Sequence, residues 1–145
     1  MRVINRFLAL SRRQKQIIAV LTDFCLLVFA FWSALALRFE TWTPALAGYG
    51  WQMIAAPLMA IPIFIKLGLY RAVIRYMEDR VVFVVGGGVT LSVLFLASAV
   101  ALTHSQGLSR GVLGIYWLLA CIYVGASRFL TRSYFLRADL GHGLR

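Results

Sequence analysis

Acidic residues are scarce in this chain. Only five of its 145 residues are Asp or Glu, and charged residues of both signs make up 14%. A soluble domain typically carries about 25% charged and 45–50% apolar residues. Here 61% are apolar and the mean hydropathy is +0.82. That balance argues against a water-solvated domain and makes the bilayer the expected solvent. Cysteine is nearly as rare. Cys25 and Cys121 each lie inside an apolar segment and no CxxC occurs, so inert buried thiols are expected rather than a disulfide or a metal site. The two histidines, His104 and His142, have no Cys or Glu nearby at metal-ligand spacing, so no metal centre is expected. There is no solenoid-type repeat and no low-complexity linker.

Positive charge and long apolar runs are what remain. The formal net charge is +10. On a soluble domain this would suggest nucleic acid. The basic residues instead cluster beside apolar runs, which fits topological charge bias and attraction to anionic lipid headgroups; nucleic acid is not an expected partner. Four runs stand out: Ile17 to Leu37, Tyr49 to Tyr70, Val81 to Thr103 and Gly111 to Phe129. Each reaches roughly the 20 residues with which a helix crosses about 30 Å of hydrocarbon. Helices are the expected form, because lipid offers exposed backbone groups no partner. The connections after the first and third runs are short, so neighbouring helices should run antiparallel. The expected fold is an all-α polytopic membrane protein with four transmembrane helices in an antiparallel bundle.

Loop charge predicts the orientation. Thirteen of the 15 Lys and Arg residues fall at the N-terminus, around residues 66–80, or from Arg128 onward; only Arg38 and Arg110 fall on the other side. The asymmetry predicts cytoplasmic N- and C-termini. The basic start followed by an apolar run and "SALAL" imitates a cleaved signal peptide. That run is longer than the usual 7–15-residue signal core and contains Asp23, so an uncleaved first helix is expected. The chain divides into a basic N-terminus (1–16), a four-helix domain (17–135) and a tail or linker (136–145).

Within the apolar runs, Asp23 is the one carboxylate. An ionisable group about six residues into a span is a functional candidate by default. A proton relay needs further such groups, and the other spans carry no carboxylate. The competing reading is a pair with an arginine on the same side, for which Arg71, Arg75 and Arg128 are candidates. The stretch "KLGLYRAVIRYMEDR", residues 66–80, places Arg71 and Arg75 four residues apart on one helix face. Tyr70 and Tyr76 suit the headgroup layer. This stretch reads either as an interfacial anchor or as a cationic site for a lipid-linked phosphate or an attached cytoplasmic domain. "VVFVVGGGVTL", residues 81–91, imitates a nucleotide-binding loop, but the third glycine of such a fingerprint would fall on Leu91 and no acid follows about 20 residues on. Gly86, Gly87 and Gly88, with Ser92, are therefore expected to serve helix packing, as are the pairs Ala56/Ala60 and Ala97/Ala101. No catalytic, metal-binding or cofactor-binding residue is expected in this chain.

Three stretches carry a resemblance: "RRQKQIIAVLTDFCLLVFAFWSALALR", with Asp23 and Arg38; "GLYRAVIRY" after "AAPLMAIPIFIKL"; and "SRGVLGIYWLLACIYVGASRFLTRSYF", with Ser109, Arg110, Arg128 and Arg132. In this order, from about Arg12 to Phe135, the chain resembles the N-terminal membrane region of the bacterial membrane-bound nucleotide-sugar 4,6-dehydratases and epimerases of polysaccharide biosynthesis (CapD/WbpM type). The resemblance implies a four-helix membrane region joined to a cytoplasmic domain that holds NAD(P) and acts on a UDP-sugar for O-antigen, capsule or lipopolysaccharide assembly. It implies partners in lipid-linked glycan machinery, while a homo-oligomer is a further candidate assembly. The membrane region of polyprenyl-phosphate sugar-1-phosphate transferases is a second candidate. A stand-alone transporter or lipid-binding protein is a third reading.

Overall fold

The computed structural model describes residues 11–44, 46–72, 78–103 and 108–142. Helix α1 spans Arg12–Phe39, α2 Gly50–Lys66, α3 Leu69–Ala72, α4 Glu78–Leu102 and α5 Arg110–His142, and a short 3-10 turn covers Leu46–Gly48. No strand occurs among the described residues. Three helical segments, Arg13–Phe39, Val82–Leu102 and Arg110–Thr131, are long and apolar enough to cross a membrane. Helix α2, with 17 residues, is shorter.

Local chemistry explains these ends. Ser11 caps α1 in a reciprocal box: its hydroxyl accepts from the Gln14 N–H at 3.4 Å, and the Gln14 carbonyl accepts from the Ser11 N–H at 3.0 Å. This satisfies two of the groups a helix start leaves unpaired. At the other end Glu40 adopts a left-handed conformation, with φ of 53°, and returns its N–H to the Ala36 carbonyl. The second apolar run was expected to stay helical to Tyr70. It stops at Lys66 instead, because the chain turns at Leu67–Gly68 with Gly68 at φ 73°, a conformation glycine adopts without steric cost. The short α3 follows. In the segment expected as tail or linker, from residue 136, the first seven residues continue α5 to His142.

The four long helices form a ring in which α1 touches α2 and α5, and α4 touches α2 and α5. Paired contacts show the directions. Phe31 meets Tyr116 and Asp23 meets Arg128, so α1 and α5 are antiparallel; Phe39 meets Tyr49 at the α1–α2 connection. Each helix buries one stripe. On α1 it is Leu27, Ala30, Phe31, Ala34 and Leu35, the three- and four-residue spacing of one helix face. Helix α2 buries Gln52, Ala56, Ala60 and Phe64. Helix α5 buries Val112, Tyr116, Ala120 and Val124 at four-residue steps. The outer faces are apolar too: Phe83 is 79% exposed and Leu102 81%. Such surfaces are unusual on a water-soluble monomer and are compatible with a membrane protein.

Small residues sort by face. Ala56, Ala60, Gly88 and Ser92 are buried, whereas Ala97 is only partly buried and Ala101 is exposed. The α4 stripe runs through Val85, Val89, Ser92 and Leu96, so Ala97 and Ala101 lie off it. Among the three glycines, a Cβ on Gly88 would sit 2.7 Å from the Phe64 ring, while one on Gly86 or Gly87 would meet nothing within 4 Å. The packing role expected for all three thus narrows to Gly88, because the other two point away from α2. Gly88→Leu should lower stability by at least ~1–3 kcal/mol through overpacking, and Gly87→Leu should stay within ~0.5 kcal/mol of the parent. Unfolding in detergent, followed by circular dichroism, measures both; equal losses would contradict this assignment.

Candidate functional site

The one buried charge cluster among the described residues sits where α1, α3 and α5 meet. Asp23 comes from the second apolar turn of α1, Arg128 from α5, and Tyr70 from the short α3. An Arg128 Nη2 donates to Asp23 Oδ2 at 2.5 Å, and the Tyr70 hydroxyl donates to the same oxygen at 2.9 Å. The guanidinium carbon also lies 5.3 Å from the centre of the Tyr70 ring, within the range of a cation–π contact. The Asp23 side chain is 2% exposed and that of Arg128 11%. A carboxylate, a guanidinium and a phenol thus meet at one oxygen and the formal charges of Asp23 and Arg128 cancel, while Arg128 Nε is buried without a hydrogen-bond partner among the described residues.

The turn at Gly68 is what brings Tyr70 inward. Had α2 continued straight, residue 70 would lie one turn further along its axis. Instead the chain turns at Leu67–Gly68, Leu69 and Tyr70 are buried, and α3 packs against both α2 and α4. Tyr70, expected to serve a headgroup layer, is buried within the bundle and donates its hydroxyl to Asp23. Of the three arginines considered for Asp23, the structure pairs Arg128. Arg75 and Tyr76 lie outside the described residues, as do the side chains of Arg71 and Arg132. Arg38 is remote from this cluster. It ends α1 beside the start of α5, where its side chain would approach a Cβ on Gly111 to 3.3 Å.

Sequence reasoning missed several polar contacts. The Trp117 indole N–H donates to Thr90 Oγ1 at 2.9 Å, joining α5 to α4, and the Tyr123 hydroxyl lies 3.4 Å from Ser33 Oγ, joining α5 to α1. Gln52 and Tyr116 are buried with the Gln52 carbonyl oxygen and the Tyr116 hydroxyl lacking hydrogen-bond partners among the described residues. Each reads as an ordinary polar residue in its span, and only the three-dimensional stripe reveals its burial.

The chemistry open to the cluster is narrow. Asp23 Oδ2 accepts from two donors, and no second carboxylate is bonded to it among the described residues. Among the described residues no group of three or more His, Cys, Asp or Glu could hold a metal ion. Acid–base work needs a group poised to give and take a proton from a substrate; here Asp23 Oδ2 takes hydrogen bonds from side chains of α3 and α5. Compared with family models, curated proteins and solved structures, the chain matches none.

Breaking such a pair leaves one charge buried and uncompensated, which costs ~3–5 kcal/mol. Asp23→Asn and Arg128→Gln should each destabilise the protein by about that amount, and Tyr70→Phe by the ~1–2 kcal/mol of a lost hydrogen bond to a charged group. The double variant Asp23→Asn/Arg128→Gln should recover part of the loss. Equilibrium unfolding of the four variants tests this; strict additivity of the two single effects would show that the residues act independently.

Proposed function

We propose that this chain is a membrane-embedded anchor and assembly module for a cytoplasmic nucleotide-sugar enzyme, of the UDP-sugar 4,6-dehydratase or epimerase type, in bacterial polysaccharide biosynthesis. The observation that carries the scaffold part is the self-cancelling Asp23–Arg128–Tyr70 cluster inside a bundle whose outer faces are apolar. Its ionisable groups stabilise an arrangement of helices and leave no free acid–base pair there for catalysis. The apolar lengths of α1, α4 and α5 support spanning, and α2 would be the fourth, shorter span. The biosynthetic part rests on the ordered resemblance of the three stretches described above. On this reading NAD(P) and the catalytic residues belong to a domain outside these 145 residues, and no cofactor binds this chain.

The thirteen-to-two division of Lys and Arg supports placing both termini on the cytoplasmic side of the inner membrane. Tethering an enzyme there would raise its effective concentration near lipid-linked glycans, since a linked partner searches a small volume rather than the whole cytoplasm. A polyprenyl-phosphate sugar-1-phosphate transferase region would share this anchoring role, but the run "GLYRAVIRYMED" sits closer to the dehydratase pattern.

Reporter fusions test the topology. A cytoplasm-active reporter should work at both termini, and a periplasm-active one within residues 38–48 and 104–110; the opposite pattern would reverse the proposed orientation. Sequencing the reading frame past codon 145 tests the enzyme class: a strand–GxGxxG–helix pattern is expected, and a small basic transferase domain would redirect the proposal. Purified chain given UDP-GlcNAc and NAD should show no turnover, and turnover would refute the non-catalytic role.

A further inference from the structure

Buried polar side-chain atoms are rarely left unpaired in folded proteins. Outside the charge cluster, two of them lack hydrogen-bond partners among the described residues: Gln52 Oε1 on α2 and the Tyr116 hydroxyl on α5. Each residue is only 1% exposed. Their helices stand at opposite corners of the ring, because α1 and α4 each touch both. Contacts with α1 fix their depths. Arg128 pairs with Asp23, Gly111 lies beside Arg38, and the Tyr116 ring meets Phe31. Counted along the antiparallel helices from these contacts, Tyr116 stands opposite residues 31–35 of α1. Phe39 meets Tyr49, so Gln52, three residues further into α2, stands opposite residue 36. The two depths differ by at most about 7.5 Å at 1.5 Å per residue. Two long side chains and a water can span that distance.

The backbone of α2 adds an acceptor at the same level. Pro57 lies inside the helix and has no N–H to give to the Met53 carbonyl, which is therefore without its regular helical donor one residue on from Gln52. Pro57 is itself buried, so that carbonyl opens toward a buried side of α2. Charge is missing from this depth. No Asp, Glu, Lys or Arg occurs in α1 between Asp23 and Arg38, in α2 before Lys66, in α4 after Arg80 or in α5 between Arg110 and Arg128. An ionic guest would have no counter-ion here, and the groups present call for a small neutral molecule that both donates and accepts. We propose that a buried water bridges α2 and α5, donating to Gln52 Oε1 and accepting from the Tyr116 hydroxyl. Its second hydrogen serves the Met53 carbonyl. Buried waters typically make about three hydrogen bonds to polar groups that are otherwise unpaired, and these three groups supply them. The bridge ties together the diagonal pair of helices, and it does not depend on which enzyme the module serves.

The test is solid-state NMR of the folded full chain in bilayers, reading magnetisation transfer from water protons to isotope-labelled glutamine, tyrosine and leucine. The parent should show transfer to the Gln52 side-chain amide and to the Tyr116 ring, and none to the side chain of Leu96, which is equally buried but apolar. Tyr116→Phe should remove the transfer at Gln52, and Gln52→Leu that at Tyr116, both at unchanged helix content. Absence of water transfer at either residue in the parent would overturn the proposal, and that measurement needs no variant to fold. A direct contact between the Tyr116 hydroxyl proton and the Gln52 carbonyl, without water transfer, would show a dry hydrogen bond and also overturn it. Undiminished transfer at Gln52 in folded Tyr116→Phe would show separate waters in place of a bridge, with the same consequence.

Discussion

An acid cannot lie unpaired in an apolar bundle, and the architecture is organised around that constraint. Asp23 sits on the first helix and Arg128 on the last, 105 residues apart. An isolated charge at the centre of a spanning helix costs roughly 2.5–3.5 kcal/mol on insertion scales. Bringing the two side chains together requires α1 and α5 to lie side by side, antiparallel and in one register, because a slip of one turn would separate the charges by about 5.4 Å. The ion pair is therefore better described as a register pin than as a source of net stability. Well-packed apolar residues could fill the same volume, but they would tolerate sliding. Tyr70 adds the third element, tying the short α3 to the same oxygen.

The stripes on either side of the pin do the remaining work. Four-residue steps on α2 and α5, and the small residues Ala56, Ala60 and Gly88, let helices approach closely where lipid supplies little drive for association. Gly88 meets the ring of Phe64 closely enough that a methyl group would collide with it. One face of α4 is therefore constrained by contact with α2. Phe83 and Leu91, which lie off that face, are exposed.

Much of this was legible before any coordinates. Runs of about 20 apolar residues identify the helical regions because the bilayer demands that length, and a lone carboxylate in such a run announces that it needs a partner. The partner itself was not legible: Arg71, Arg75 and Arg128 fit equally well by depth, and only the fold selects among them. The hydrogen bond from Tyr70 is not legible in the sequence for a related reason. Interfacial tyrosines and inward-turned ones look alike in sequence, and the difference depends on a left-handed Gly68 two residues earlier. The three glycines show the same limit. Their density signalled close packing, but which of them faces a neighbour is a matter of helical phase, and successive residues differ by about 100°.

That phase has a consequence at the far end of the molecule. Helix α5 runs unbroken for 33 residues, and its membrane-compatible part ends at Thr131. Eleven further residues, to His142, continue the same rod for roughly 16 Å. The pin at Arg128 fixes the rotation of this rod against the bundle. A body attached beyond it would inherit a definite height and compass bearing. Adding or removing a single residue in the overhang would turn that body through about 100° while moving it only about 1.5 Å. For such a body the overhang would be an indexing shaft, whose residue count sets which of its sides faces the bundle.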